Sequence, residues 1–163
     1  IWRRLVGSEM CIRDSSSSLK NIYSIMVGIA HGLGYGDNFL SVLISHCSKE
    51  MSDFIKDVHK TNRKINQSAY LGDLLVTTYS SFSRNRTFGN MIGKGYSIKS
   101  AKAEMNMVVE GYYATKNAFM LSKKLSTKFL IIDFCHKILF ENKSASRQMK
   151  ELSKNLYWGF KLL

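Results

Sequence analysis

The stretch "LKNIYSIMVGIAHGLGYGDN", Leu19 to Asn38, decides the fold class. Its first fifteen residues are mostly apolar and form a segment long enough for a buried helix. Gly28 and Gly32 lie one helical turn apart on one face, where absent side chains let a second helix approach closely. The segment "GLGYG", Gly32 to Gly36, lies at the end of this helical pattern. It lacks the GxGxxG spacing and does not follow a strand, so it predicts a turn between two helices.

The helix predicted after this turn has the clearest amphipathic pattern of the chain, and Asp37 is a suitable N-cap for it. Its apolar residues recur at intervals of three and four and form one stripe: Leu40, Leu43, Ile44, Cys47, Met51, Phe54, Ile55 and Val58. No segment alternates strictly, as a half-buried strand would. Further helices are predicted over residues 72–79, 87–92, 98–107, 112–125, 127–141 and 145–157.

The composition supports an all-α domain. The 163 residues are enough for one domain with a core, and the chain contains no proline, which favours uninterrupted helices. The formal net charge of +12 predicts a surface that attracts anions. Nucleic acid, an anionic membrane and small phosphorylated molecules all fit that charge.

The cysteines and the hydropathy indicate the compartment. Cys11, Cys47 and Cys135 lie far apart without a CxxC spacing, so the sequence indicates neither a disulfide framework nor a metal site. A sparse, odd number of cysteines is typical of the reducing cytosol and predicts a cytoplasmic protein. No apolar stretch approaches the roughly 20 residues that a membrane span needs.

The first fifteen residues, "IWRRLVGSEMCIRDS", differ from the rest of the chain. They resemble the in-frame translation of a synthetic sequencing adapter and carry no helical or strand period. We therefore predict that residues 1–18 are a non-native leader without ordered structure and that residues 19–163 form the domain. We also expect the natural chain to extend further upstream.

Three charged residues stand in apolar surroundings. Lys20 heads the buried segment, where desolvation would disfavour its charged form and let it exchange a proton near neutral pH; alternatively, its head reaches water. Asp73 could hold an ammonium or a substrate hydroxyl, or merely cap the helix after Gly72. Glu110 could accept two ribose hydroxyls, or pair with a neighbouring cation.

The segment "SFSRNRTFGN", Ser81 to Asn90, is dense in hydrogen-bonding groups. Arg84 offers a planar fork of donors suited to phosphate oxygens, and Ser83 and Asn85 add hydroxyl and amide groups. A helix predicted from Thr87 onward would add free N–H groups that favour an anion. The segment is therefore either a phosphate site or a charged loop.

Taken together, three stretches give the chain a family resemblance. They are "LKNIYSIMVGIAHGLGYGDN", "SAYLGDLLVTTYSSFSRNRTFGNMIGKG" and "MVVEGYYATKNA", and the likeness runs from Leu19 to at least Glu141. In order and spacing the chain resembles the C-terminal, substrate-binding domain of bacterial-type NAD(P)-dependent glycerol-3-phosphate dehydrogenase. The resemblance implies an all-α, multi-helix bundle of the 6-phosphogluconate dehydrogenase C-terminal-domain-like type.

The resemblance also implies a reaction and a set of site residues. Enzymes of this family interconvert sn-glycerol 3-phosphate and dihydroxyacetone phosphate, with NAD or NADP as hydride carrier. Lys20 matches the catalytic lysine that accepts the proton of the carbon-2 hydroxyl. The positions that match substrate contacts are Lys20, Asp73, Ser83, Arg84 and Asn85, and those that match cofactor contacts are Arg84, Val108 and Glu110.

The chain departs from the family in one respect. The family has a Rossmann domain N-terminal to this one, and no glycine-rich pyrophosphate loop precedes Leu19 here. We therefore expect the main cofactor-binding domain to be missing and the chain alone to be inactive, since hydride transfer requires the nicotinamide close to carbon 2. The parent enzyme is expected to be a homodimer. A basic helical module that binds nucleic acid is the alternative function, although the basic residues form no stripe.

Overall fold

The computed structural model describes residues 2–59 and 68–158, and within these ranges it contains eight α-helices and no strand. The all-α prediction is therefore confirmed. The helices are α1 (Trp2–Gly32), α2 (Asp37–His59), α3 (Ser68–Tyr79), α4 (Arg84–Gly93), α5 (Ile98–Glu104), α6 (Glu110–Ser122), α7 (Leu130–Phe140) and α8 (Ala145–Trp158). None of the described helices has the uninterrupted apolar length that a bilayer crossing needs.

Helix α1 is the centre of the bundle. Residues 21–30 are buried without exception, and the helix packs against α2, α3, α4, α6 and α7. A helix surrounded on every side must be apolar on every side, which explains why this segment shows no polar face. By contrast, α2 contacts the core along one stripe from Leu40 to Ile55, as its sequence pattern predicts.

The closest packing in the bundle is between α1 and α4. A Cβ atom added to Gly28 would overlap the carbonyl oxygen of Arg86, and one added to Gly89 would overlap that of Ile25. Near the ends of the two helices, a Cβ atom on Gly93 would lie 2.9 Å from the Cα atom of Gly32. The close approach predicted at the two glycines of α1 therefore exists, and its partner is α4, which brings two glycines of its own.

The predicted turn joins α1 to α2. Gly34 has φ of +86°, a conformation that glycine adopts without strain. The N–H of Gly34 donates to the carbonyl of His31 at 3.0 Å, and the N–H of Tyr35 donates to that of Ala30 at 3.1 Å. This pair of bonds is a Schellman motif, which satisfies the last carbonyls of α1 and stops the helix.

The leader prediction is wrong about structure, because residues 2–18 continue α1 without a break. Ser16 is buried, and its hydroxyl contacts the sulfur of Met51 at 3.6 Å. The physical reason is that a helix nucleated by the buried segment extends at little cost through serines, each of which is less favourable than alanine by only about 0.5 kcal/mol. The non-native origin of these residues stays a prediction.

Helix α7 is capped by a side chain from another helix. Its N-cap residue, Phe129, has no side chain that can accept a hydrogen bond. Glu50 of α2 instead accepts the N–H groups of Ile131 and Ile132, at 2.8 and 3.1 Å. Burial raises the pKa of Glu50 to about 7, against the opposing effect of these two hydrogen bonds.

Substitution of Gly28 tests the helix crossing. Gly28→Ala should lower the free energy of unfolding by about 1–3 kcal/mol, because α1 and α4 must move apart. Gly72 of α3 is the matched control, since nothing lies within 4 Å of an added Cβ atom there. Gly72→Ala should raise the free energy of unfolding by about 0.5–1 kcal/mol, because alanine is the better helix former. Urea denaturation measures both, and effects of the same sign would contradict the crossing.

Stability should depend on pH through Glu50. The unfolded carboxyl group ionises near its ordinary pKa of 4.5, whereas the folded one keeps its proton until about pH 7. The folded state therefore binds more protons between these values, and the free energy of unfolding should fall across this window by roughly 3 kcal/mol. In Glu50→Gln, which cannot ionise, this part of the pH dependence should vanish. Identical pH profiles of the two proteins in denaturation experiments would refute this account of Glu50.

Candidate active site

Lys20 and Asp73 form an ion pair across two helices. Lys20 lies on α1 and Asp73 on α3, and the Nζ atom is 2.7 Å from Oδ1 and 2.6 Å from Oδ2. The Lys20 side chain is 20% exposed and that of Asp73 50% exposed, so a small molecule can reach the pair. The amine is therefore paired with a carboxylate and keeps partial exposure to water, which is intermediate between the two alternatives that the sequence left open.

The interpretation of Asp73 as a helix cap is wrong. Helix α3 begins at Ser68, so Asp73 lies in its second turn and its side chain is free to face α1. One turn further on, the hydroxyl of Thr77 donates to the carbonyl of Asp73 at 2.7 Å. Gly72 suggested a helix start, but a glycine with open space around it is tolerated inside a helix at modest cost.

Ser83 is the N-cap of α4. Its backbone is extended, with φ of −68° and ψ of 113°, and its hydroxyl accepts the N–H of Arg86 at 3.4 Å. Helix α4 therefore begins at Arg84, three residues earlier than predicted, and the polar run from Arg84 to Arg86 forms its first turn. The same hydroxyl lies 3.0 Å from the hydroxyl of Ser24, which is fully buried on α1.

Arg84 faces the N-terminus of α6. Its Nη2 atom is 3.9 Å from Oε1 of Glu110, and its Nη1 atom is 3.7 Å from the sulfur of Met107. The other carboxylate oxygen of Glu110 accepts the side-chain amide of Asn21 at 3.1 Å. Asn21 follows Lys20 in α1, so the two charged pairs involve neighbouring residues of one helix. We call the following residues the charged cluster: Lys20, Asn21, Asp73, Arg84 and Glu110. Arg84 and Glu110 are 42% and 63% exposed, so both charges remain open to a ligand.

Asn85 is a buried residue next to Arg84 that links two helices. Its side chain is buried, and its Oδ1 atom accepts the N–H of Gly111 at 3.0 Å. Asn85 thus ties the first turn of α4 to the first turn of α6, where Glu110 lies. Gly111 lies against α1 so closely that an added Cβ atom would be 2.7 Å from the carbonyl oxygen of Asn21.

Exposed apolar side chains lie close in sequence to the charged residues. Val108 is 64% exposed. It belongs to residues 105–109, which line a surface cavity of about 430 Å³ together with Lys102 and Tyr113. On the α3 side, Val76 and Phe82 are exposed. The described residues of this region therefore combine two cations and two carboxylates with exposed apolar surface.

Sequence reasoning missed three supporting residues, which are Asn21, Ser24 and Arg86. Asn21 and Ser24 are buried polar residues in a mostly apolar segment of α1. They lie one and four positions after Lys20 in the sequence, and this spacing could have identified them. The guanidinium of Arg86 donates to the carbonyl of Tyr79, which fixes α4 to the end of α3.

Comparisons with known proteins identify the family of the chain. The family model described as "NAD-dependent glycerol-3-phosphate dehydrogenase C-terminus" matches residues 6–150, a range that begins inside the segment predicted as a leader. A protein of Fusobacterium nucleatum named glycerol-3-phosphate dehydrogenase (NAD(P)+) is 41% identical over 151 residues, which are 93% of this chain and 45% of that protein. One of the same name from Agathobacter rectalis is 36% identical over 152 residues, with the same two shares.

A solved structure gives the same result for the fold. The 2.1 Å crystal structure of glycerol-3-phosphate dehydrogenase from Coxiella burnetii superposes with a TM-score of 0.83 at 29% identity. The superposition covers 90% of this chain and 45% of that one, so the chain spans about half the length of the proteins that it matches. These matches confirm the resemblance, and none of them supports the nucleic-acid-binding alternative. The chain belongs to the family of NAD-dependent glycerol-3-phosphate dehydrogenase C-terminal domains.

Proposed function

We propose that this chain is the substrate-binding and proton-transfer part of an enzyme that interconverts sn-glycerol 3-phosphate and dihydroxyacetone phosphate with NAD(P)H. The observation that carries the proposal is the cluster in which Lys20, paired with Asp73, adjoins the Asn21–Glu110–Arg84 contacts. Through neighbouring residues of α1, it links the amine to which we assign proton transfer with the guanidinium to which we assign phosphate binding. The family supplies the reaction class.

Lys20 is the proton acceptor. When the alcohol is oxidised, its amine takes the proton of the carbon-2 hydroxyl, and in the reverse direction its ammonium returns a proton to the carbonyl oxygen. Both oxygens of Asp73 lie within 2.7 Å of Nζ, so the amine is already oriented before substrate arrives. Such pre-orientation lowers the entropic part of the barrier.

The substrate phosphate binds at the start of α4. Arg84 supplies a charged, planar donor at 42% exposure, and charge-assisted bonds of this kind are the strong ones. Ser83 and Asn85 belong to the same turn and complete the proposed substrate site. Their oxygen atoms already accept backbone N–H groups, so they shape the pocket as well as line it.

The exposed residues beside this pocket fit a nucleotide cofactor. The Glu110 carboxylate, 63% exposed, can accept ribose hydroxyls, and the exposed Val108 offers apolar surface to a ring. Arg84, which lies near Glu110, is assigned to both ligands. When NAD or NADP is bound, it supplies or accepts the hydride.

The setting of the enzyme is part of the proposal. A cytoplasmic location fits the sparse cysteines, of which Cys47 and Cys135 are buried free thiols. Assembly of the complete enzyme as a homodimer also stays a proposal. The positive charge of the chain is sufficiently explained by an anionic substrate and cofactor.

Replacement of Arg84 tests phosphate binding in the chain as it stands. Arg84→Gln should weaken the binding of sn-glycerol 3-phosphate about tenfold, because one charge-assisted interaction is lost. An NMR titration measures the affinity, and Arg147→Gln on the exposed face of α8 is a control of equal charge. Equal weakening in both variants would mean that net charge alone attracts the ligand.

Replacement of Lys20 tests proton transfer. The chain alone should not turn over dihydroxyacetone phosphate with NADH, so the assay uses the chain joined to the remaining part of the Fusobacterium nucleatum relative. There, Lys20→Met should lower kcat about 10²- to 10⁴-fold, the range of general acid–base catalysis. Lys123→Met is the control, since Lys123 also forms an exposed pair, with Asp133 at 3.1 Å. A Lys20→Met enzyme with normal kcat would refute the assignment.

A further inference from the structure

Ser24 connects three helices near the charged cluster. It lies on α1 one turn after Lys20, and its side chain is fully buried. Its hydroxyl donates to the carbonyl of Thr77 on α3 at 3.0 Å and lies 3.0 Å from the hydroxyl of Ser83, the N-cap of α4. One oxygen atom therefore contacts the helix that carries Asp73 and the residue that precedes Arg84.

The hydrogens of these hydroxyls have a fixed direction. Each serine hydroxyl has one hydrogen to donate. Ser24 gives its hydrogen to the carbonyl of Thr77, so Ser83 must be the donor in the bond between the two serines. Because Ser83 also accepts the N–H of Arg86, a single line of donation runs from Arg86 through Ser83 and Ser24 to Thr77.

We propose that Ser24 is a positioning residue of the glycerol 3-phosphate site, which holds the phosphate-binding turn of α4 in register with the Lys20–Asp73 pair. The inference rests on the proposed function for the identity of the ligand. Ser24 acts through Ser83, whose oxygen it fixes in place, and through Thr77, which lies one turn after Asp73 on α3. It does not touch the substrate itself.

The arrangement explains why a hydroxyl stands at this buried position. An alanine at position 24 would leave the hydroxyl of Ser83 without its acceptor and the carbonyl of Thr77 without this donor. Unmet hydrogen-bonding groups of this kind favour a shifted backbone. The shift would fall on the end of α3 and the start of α4, which are the two segments that must stay aligned for Asp73 and Arg84 to act on one ligand.

The test combines amide hydrogen exchange with the titration of sn-glycerol 3-phosphate, both by NMR on the 163-residue chain. The proteins compared are the wild type, Ser24→Ala, Ser83→Ala and the double variant. Ser16→Ala is the matched control, because Ser16 is a buried serine of the same helix whose hydroxyl contacts Met51, outside the cluster.

In Ser24→Ala, the Arg86 amide should exchange about threefold to tenfold faster, and the affinity for sn-glycerol 3-phosphate should fall by a similar factor. Ser83→Ala should lose affinity by a similar factor. The double variant should bind no more weakly than the weaker-binding single variant, because both changes break the same line of hydrogen bonds. Ser16→Ala should change neither quantity.

The two proposals fail in different ways. Unchanged Arg86 exchange in Ser24→Ala would overturn the role of Ser24 whether or not a ligand binds, since that measurement needs no ligand. Faster exchange with unchanged affinity, additive losses in the double variant, or an equal loss in Ser16→Ala would also overturn it. Absence of binding by the wild type would refute the proposed function, and the substrate role of Ser24 with it.

Discussion

The contact between the backbones of α1 and α4 is the constraint on which the rest of the structure depends. Gly28 and Gly32 on one helix meet Gly89 and Gly93 on the other, with no room for a Cβ atom at any of them. Lys20 lies eight residues before Gly28, about 12 Å along α1, and Arg84 lies five residues before Gly89, about 8 Å along α4. Since each helix is rigid over such a distance, the crossing fixes the separation of the two cations.

Buried polar side chains then set the orientation of the exposed charges. Asn21 holds Glu110, Asn85 holds the N–H of Gly111, and Ser24 joins α3 to the cap of α4. A buried polar group without a partner costs stability, so each of these residues constrains the structure to the arrangement in which its partner is present. Ionic attraction alone would not do this, because exposed ion pairs contribute little and tolerate many geometries.

The sequence predicted the helices well, and the partners of individual side chains less well. The stripe on α2 and the mostly apolar segment of α1 over residues 22–30 are local patterns, and both appear in the structure as expected. The functions of Asp73 and Ser83 depended on which helix lies opposite. Asp73 fitted either a cap or a partner for an ammonium, and the structure makes it the partner of Lys20. Ser83, a proposed substrate contact, is also the N-cap of α4, which the sequence did not indicate. The helical serines before Leu19 were missed because extension from a buried nucleus is not a property of the residues that are added.

The central position of α1 has a consequence for the order in which the molecule acquires its structure. The partners of α1 include α6 and α7, which begin near residues 110 and 130, so many of its neighbours are remote in the chain. Folding of such a topology is slower than in bundles built from local contacts. At ribosomal rates of about 5–20 residues per second, roughly 5–20 s separate the emergence of α1 from that of α7. During that interval the surface of α1 that packs against α6 and α7 lacks its final cover and is open to non-native contacts.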